Sequence, residues 1–343
     1  MPTKPSKYWE DRSEKIVRSA EESSAGLLEK LKQQYRIAKD TIEGDIAKWY
    51  VRYSKNEKIS LADAKIALSA RELKELQWDI KTYIDRGKEN SKTGKWVKQL
   101  ERASTRAHIS RLEALLLQIN AQLGILSSSE EDGLTSLVGK VYQDSYYRSA
   151  YDISIGTNVG VSLSRIDKGR LSKVISRPWA ADDVVFSKRI WDDQDKLLAI
   201  LENELSQNII LGSPPSKTIS VVSERLGVSY RNASRLVNTE SAYFCELATK
   251  DSYESLSVDK FQIIATLDNR TSEICQEMDG KILPVKDLVP GVTAPPFHPN
   301  CRSTTIPYFD NNYGKRIARS ARGNAEYVPS DMTYNAWKKK YVK

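Results

Sequence analysis

Residues 261–309, FQIIATLDNRTSEICQEMDGKILPVKDLVPGVTAPPFHPNCRSTTIPYF, cannot continue the helical pattern that dominates the rest of the chain. Five prolines from Pro284 to Pro299, and a sixth at Pro307, remove backbone donors and would clash with a preceding helical turn. The stretch also holds two of the three cysteines and one of the two histidines. FQIIATLD is short and rich in apolar and β-branched residues, so it predicts a strand. Asp268 to Thr271 follows as a turn, SEICQEM as one turn of helix, and Asp279-Gly280 as a chain reversal. KILPV and STTIPYF predict two more strands, with Pro307 favouring an edge position for the last. Between them KDLVPGVTAPPFHPNC is held stiff by proline rather than by regular hydrogen bonds.

The remaining chain reads as helix. Residues 8–55 are rich in straight-chain helix formers, with Leu27, Leu28, Leu31 and Tyr35 at helical spacing. Ser60 is placed to cap a second helix running to Ile84, and GKENSKTGK (87–95) predicts a break. A third helix is expected from Trp96 to Leu123, with Ile109, Leu112, Leu116, Ile119 and Leu123 forming a seam and His108 an ordinary helical residue beside it. SSSEEDG (127–133) reads as a linker or tight break. Beyond it, Tyr142, Tyr146, Tyr147 and Tyr151 suit a packed helical stripe, with a stacking surface for nucleic acid as the alternative. A further helix carries Ile190, Leu197, Leu198, Leu201 and Leu205, ended by Gly212 and Pro214-Pro215. Two short helices then meet at Gly227, with Ser229 capping the second. This weakly resembles a helix-turn-helix carrying Arg231 and Arg235. Cys245 falls on an apolar helical face, where an inert thiol is expected.

The expected class is therefore mainly α, with long helices and helical hairpins, plus a small C-terminal α+β domain containing a short antiparallel sheet. The expected divisions are a long-helix region at 1–128, a helical region at 134–250, the compact domain at 251–310 and a basic tail at 311–343. The 343 residues suffice for several cores. With 29% charged residues and no apolar run of about 18–20 residues, the chain reads as soluble, with no membrane partner. The N-terminus lacks the apolar run of a secretion signal, and three cysteines suit a reducing compartment. The net charge of +8 is concentrated at the ends: residues 1–128 have a surplus of seven positive charges and residues 311–343 a surplus of six. Lys315, Arg316, Arg319, Arg322, Lys338, Lys339 and Lys340 are the candidate DNA-binding residues, although an acidic protein surface would attract the same charges.

The spacing Cys-x22-His-x2-Cys makes Cys275, His298 and Cys301 candidate zinc ligands, with Asp268, Asp279 or water as a fourth. Soft sulfur and imidazole donors on a short, Pro-rich scaffold suit a structural staple. The opposing reading is a loop packed by Pro295, Pro296 and Phe297, with His298 bonded to backbone. Catalysis is a poor fit. A Cys–His nucleophile has only His298 to draw on, and an HNH-like metal nuclease using His298 and Asn300 needs a second histidine beyond the distant His108.

The order ATLDNRTSEICQEMDGK, then PPFHPNCRSTTIPY, resembles the signature of phage head-morphogenesis proteins, the Mu F-like minor capsid family of Gram-positive phage type. RLVNTESAYF is similar to the helix that leads into that domain, and KYWEDR to the opening of such chains. The signature covers about residues 216–310. Many members have cysteines where this chain has Ser272 and Ser303, so the family zinc site is incomplete here. The resemblance implies a non-enzymatic virion protein inside the head near the portal, acting in procapsid assembly in the host cytoplasm. It also implies portal protein as partner, scaffold or major capsid protein as further candidates, and contact with packaged double-stranded DNA. A non-specific DNA-binding module is the alternative function.

Overall fold

The computed structural model describes residues 4–55, 58–89, 95–106, 108–158, 165–309, 315–319 and 325–329. Among them the helices are α1 (Ser6–Tyr53), α2 (Leu61–Ala64), α3 (Ala70–Glu89), α4 (Lys95–Ser104), α5 (Arg111–Thr157), α6 (Lys168–Ile175), α7 (Phe186–Ile210), α8 (Pro215–Ser255) and α9 (Glu273–Met278). The strands are β1 (Lys260–Ile264), β2 (Ile282–Pro284), β3 (Thr304–Tyr308), β4 (Lys315–Arg319) and β5 (Ala325–Pro329). The chain is mainly helical with a small antiparallel sheet, as its sequence leads one to expect. It divides into two compact units, one of Met1–Leu27, Thr135–Val185 and Arg235–Lys343, the other of Leu28–Leu134 and Phe186–Ser234.

Among the described residues the regular elements of the second unit are helices. Its main core joins Ile42, Ile46 and Trp49 of α1 to Leu115 and Ile119 of α5, Leu201 and Leu205 of α7, and Val222 and Leu226 of α8. The predicted helix 60–84 is broken: α2 is capped by Ser60, whose hydroxyl accepts from the Asp63 amide at 3.1 Å, and α3 starts afresh. Ser69 and Glu72 form a reciprocal capping box there, the Ser69 amide donating to Glu72 at 2.8 Å. Ser110 and Glu113 do the same for α5. Between these caps Leu68 and Arg111 hydrogen-bond to Ile109 and Ile66, so the seam starting at Ile109 is not one helix with Trp96. His108 lies exposed in the segment before α5, not on a helix.

Two expected breaks are absent. SSSEEDG lies inside α5, where Ser127, Ser128 and Glu130 are buried and Tyr35 donates to Glu130 at 3.2 Å. The division at 128–134 therefore falls within a helix. Gly227 likewise lies inside α8, so the residues around it form one continuous helix and not a helix-turn-helix. A single glycine costs a helix only about 1 kcal/mol, which burial of Leu226 and Val222 on either side of a turn can outweigh.

The other unit holds the sheet, in order β2-β1-β3 and antiparallel throughout. β3 is an edge, as Pro307 requires, and Pro307 pairs with Phe261. Phe261, Ile263 and Ile306 of the sheet share one buried apolar cluster with Trp9 of α1, Ile153 of α5 and Tyr253 of α8. Ser13 of α1 donates to the Thr305 carbonyl at 3.0 Å, which satisfies part of the open edge. Tyr142 and Tyr146 are buried and hydrogen-bond to Asp251 and Ser255 of α8, the packed-stripe reading, whereas Tyr151 is exposed. Part of the segment read as a basic tail is a two-stranded ladder, β4 with β5.

Candidate metal centre

The site grows from the two strands that frame it. β1 and β3 pair with Ile264 opposite Thr304, and the ladder is prolonged by the Thr266 hydroxyl donating to the Arg302 carbonyl at 3.1 Å. This register sets the turn after β1 beside the residues that enter β3. There Asp268 receives two parallel bonds from Arg302, Nη1 to Oδ2 at 2.6 Å and Nη2 to Oδ1 at 2.8 Å. Its Oδ1 also accepts from the Arg270 amide at 2.9 Å. Burial disfavours the Asp268 charge, but Arg302 and the Arg270 amide outweigh it and hold the carboxyl at about 2.

The turn delivers Ser272 as the N-cap of α9, its hydroxyl accepting from the Cys275 amide at 3.4 Å. Cys275 is thereby fixed in the first turn of α9. The opposite wall is PPFHPNC, where Asn300 adopts φ +58 and the Cys301 amide donates to the His298 carbonyl at 3.1 Å. These two walls bring Cys275 Sγ to 3.2 Å from His298 Nε2 and 3.6 Å from Cys301 Sγ. Both cysteines are buried and His298 half-buried, with Ala265 and Phe297 packed around the sulfurs.

Tetrahedral zinc held by thiolate and imidazole has donor–donor edges of about 3.5–3.8 Å, from metal–ligand bonds of about 2.0–2.3 Å. The observed separations are close to that. His298 Nδ1 donates to the Pro299 carbonyl at 2.9 Å, which leaves the Nε2 lone pair facing the sulfurs, the tautomer a metal needs. The Cys301 thiol hydrogen-bonds to Cys275, and with the Ser272 and Ser303 hydroxyls and the Arg302 charge this overcomes burial and lowers the Cys275 thiol. The same Cys275 contact, together with burial, raises Cys301.

Three sequence-expected ligands come together and the suggested fourth ones do not. Among the described residues the cluster of possible ligands is Cys275, His298 and Cys301. Asp268 is taken up by Arg302, and Asp279 accepts from the Ala265 amide at 2.9 Å. A fourth position on a bound metal would be left to a hydroxyl or water, with the Ser272 and Ser303 hydroxyls both hydrogen-bonded to Cys275. Lys315, Arg316 and Arg319 lie on β4, while Arg322, Lys338, Lys339 and Lys340 fall outside the described residues. Sequence reasoning missed Arg302. Its signal was the opposite charge of Asp268, each flanking one half of the ligand set.

A cavity of about 300 Å³ adjoins the site, with Cys301, Arg302, Ser241 and Glu246 in its wall. Glu246 is buried and accepts from the Thr305 hydroxyl, and burial pushes its carboxyl up to about 8.

Residues 199–306 match the family model of phage Mu protein F-like proteins. Among curated proteins, the chain is 26% identical over 223 residues to the NAD(+)–arginine ADP-ribosyltransferase EFV of Enterococcus faecalis. That alignment covers 60% of this chain and 45% of the relative, so the chain spans a little under half the relative's length. No solved structure matches. Asp268, Arg302 and the cysteine–histidine cluster all lie within the stretch that matches the phage Mu protein F-like family model.

Proposed function

We propose that this chain is a non-enzymatic minor head protein that acts at the portal vertex during procapsid assembly, with its C-terminal domain serving as a rigid, metal-stapled piece. The observation that carries the reading is the use made of the family signature. Its Asp, Cys, His and Arg residues are spent on one another, in a bidentate ion pair and a ligand cluster that tie α9 to the approach of β3. Cys275, His298 and Cys301 would hold zinc, which supplies a crosslink there. An HNH-type site needs a second histidine, and the chain's other one, His108, is exposed in the segment before α5.

The basic residues Lys315, Arg316, Arg319, Arg322 and Lys338 to Lys340 support contact with packaged DNA, on charge alone. Transfer of ADP-ribose to arginine is what the relative's name describes, of a protein that the alignment covers to 45%. Portal protein should co-purify with the chain, and scaffold or major capsid protein with the assembling complex. Elemental analysis should find about one zinc per chain, lost in Cys301→Ser. Procapsids that assemble, package and infect normally without the chain would refute the assembly role. A folded wild type without metal would refute the staple.

A further inference from the structure

The sulfurs of Cys275 and Cys301 lie 3.6 Å apart, about 1.5 Å beyond the roughly 2.05 Å of a disulfide bond. They come from opposite walls of the site, one on α9 and one on the proline-rich loop, so a bond between them would make the same tie as a metal ion. The third cysteine, Cys245, accepts a hydrogen bond from Ser145 at 3.4 Å, deep in the packing of α5 on α8. Cys301 can also be reached. It forms part of the wall of the 300 Å³ cavity, together with Asn238, Asn300 and Ser241. The Ser241 hydroxyl is buried with no hydrogen-bond partner, so the cavity offers an unused polar contact to a small polar molecule.

We propose that Cys275 and Cys301 form a reversible disulfide with a hydroperoxide as the oxidant, and that metal and disulfide exclude each other. The second clause rests on the zinc reading, the first does not. One sulfur attacks a peroxide oxygen, the O–O bond breaks, one oxygen leaves as water and the other remains as a sulfenic acid. The second sulfur displaces that hydroxyl as a second water and the S–S bond forms. Two thiols and one hydrogen peroxide thus give one disulfide and two waters, the sulfurs losing the two electrons that the peroxide oxygens gain. Bound zinc occupies the lone pairs both steps require. A head protein passes from a reducing cytoplasm to an oxidising exterior, and this arrangement keeps the α9–β3 joint closed in both.

The experiment uses the full wild-type chain, zinc-loaded and chelator-treated, each exposed to hydrogen peroxide, trapped with iodoacetamide and mapped by peptide mass spectrometry. Zinc content is measured separately on the reduced protein. The expected result is a Cys275–Cys301 crosslink, two hydrogen masses lighter, in the metal-free protein. Zinc-loaded protein should show no crosslink, both cysteines being alkylated once the peroxide is quenched and the zinc then chelated, and oxidised protein should bind zinc only after dithiothreitol. Metal-free protein whose two cysteines remain alkylated, or are joined through Cys245, overturns the disulfide while leaving the zinc reading intact. A crosslink in protein that binds no zinc supports the disulfide and overturns the exclusion along with the staple.

Discussion

Replacing Arg302 by alanine isolates the contribution of the ion pair that joins the two halves of the signature. In the folded chain Asp268 is held at about 2, against 3.8 for an unperturbed carboxyl. At about 1.4 kcal/mol per unit, that depression corresponds to about 2.5 kcal/mol of stability at neutral pH, the net of burial against Arg302, the Arg270 amide and Thr271, with the Arg302 charge and hydrogen bonds supplying most of the lowering. The Asp268 side chain is only 10% exposed, so little of this is lost to solvent screening. Because the folded value is depressed, the stabilisation is fully present above about pH 4 and disappears as pH falls through about 2. Two units and several helices make a single unfolding free energy poorly defined, so the assay must be local. Native-state hydrogen exchange of metal-free protein, read on peptides from 264–306, should accelerate roughly 50- to 100-fold at pH 7 in Arg302→Ala. Peptides of α3 and α7 should be unchanged. Arg302→Lys keeps the charge but cannot make two parallel bonds, and should recover about 1 kcal/mol. Acceleration below about threefold, or equal acceleration throughout the chain, would refute the assigned role.

Glu246 titrates in the opposite sense. Its carboxyl is raised to about 8 by burial, so the folded chain keeps a proton that the unfolded chain has lost between about pH 4.5 and 8. Stability of the sheet-bearing unit should fall across that window and level off above it. Glu246→Gln should flatten the thermal midpoint between pH 5 and 8, and an unaltered slope would count against the assignment. Gly156→Ala would set a Cβ 2.2 Å from the Trp9 ring, whereas the same change at Gly26 meets nothing within 4 Å. The first should lose at least about 1–3 kcal/mol and shift tryptophan fluorescence, and the second should be neutral or gain up to about 1 kcal/mol in thermal denaturation. Ser110→Ala should cost about 1 kcal/mol by removing half of a capping box, seen as a lower midpoint in circular dichroism.

Helix existence was written locally, in apolar spacing, and so were the three strands and the edge position of Pro307. Helix ends were less legible. The capping boxes at Ser69–Glu72 and Ser110–Glu113 are present in the sequence, but apolar periodicity carries on across both and hides them. The opposite error arose at SSSEEDG and Gly227, where small or polar residues imitate a break. In α5 such residues mark close packing: a Cβ at Gly124 would lie 2.6 Å from the Trp96 indole. For the site, residue type and spacing were enough to single out Cys275, His298 and Cys301. The Asp268–Arg302 pair was not, because 34 residues separate its partners. Only the β1–β3 register, a property of long-range pairing, sets them side by side.

Trp9 ties the beginning of α1 to residues made much later. Its indole lies 5.4 Å from the Phe309 ring and packs with Ile153 and Tyr253. During synthesis from the N-terminus, the ribosome must therefore add about 300 residues after Trp9 before that side chain can reach its final neighbours. Until then a tryptophan and its apolar surroundings remain open to chaperones and proteases. A message truncated before β3 would yield chains that keep this surface exposed, a built-in check that only translation through Phe309 can pass.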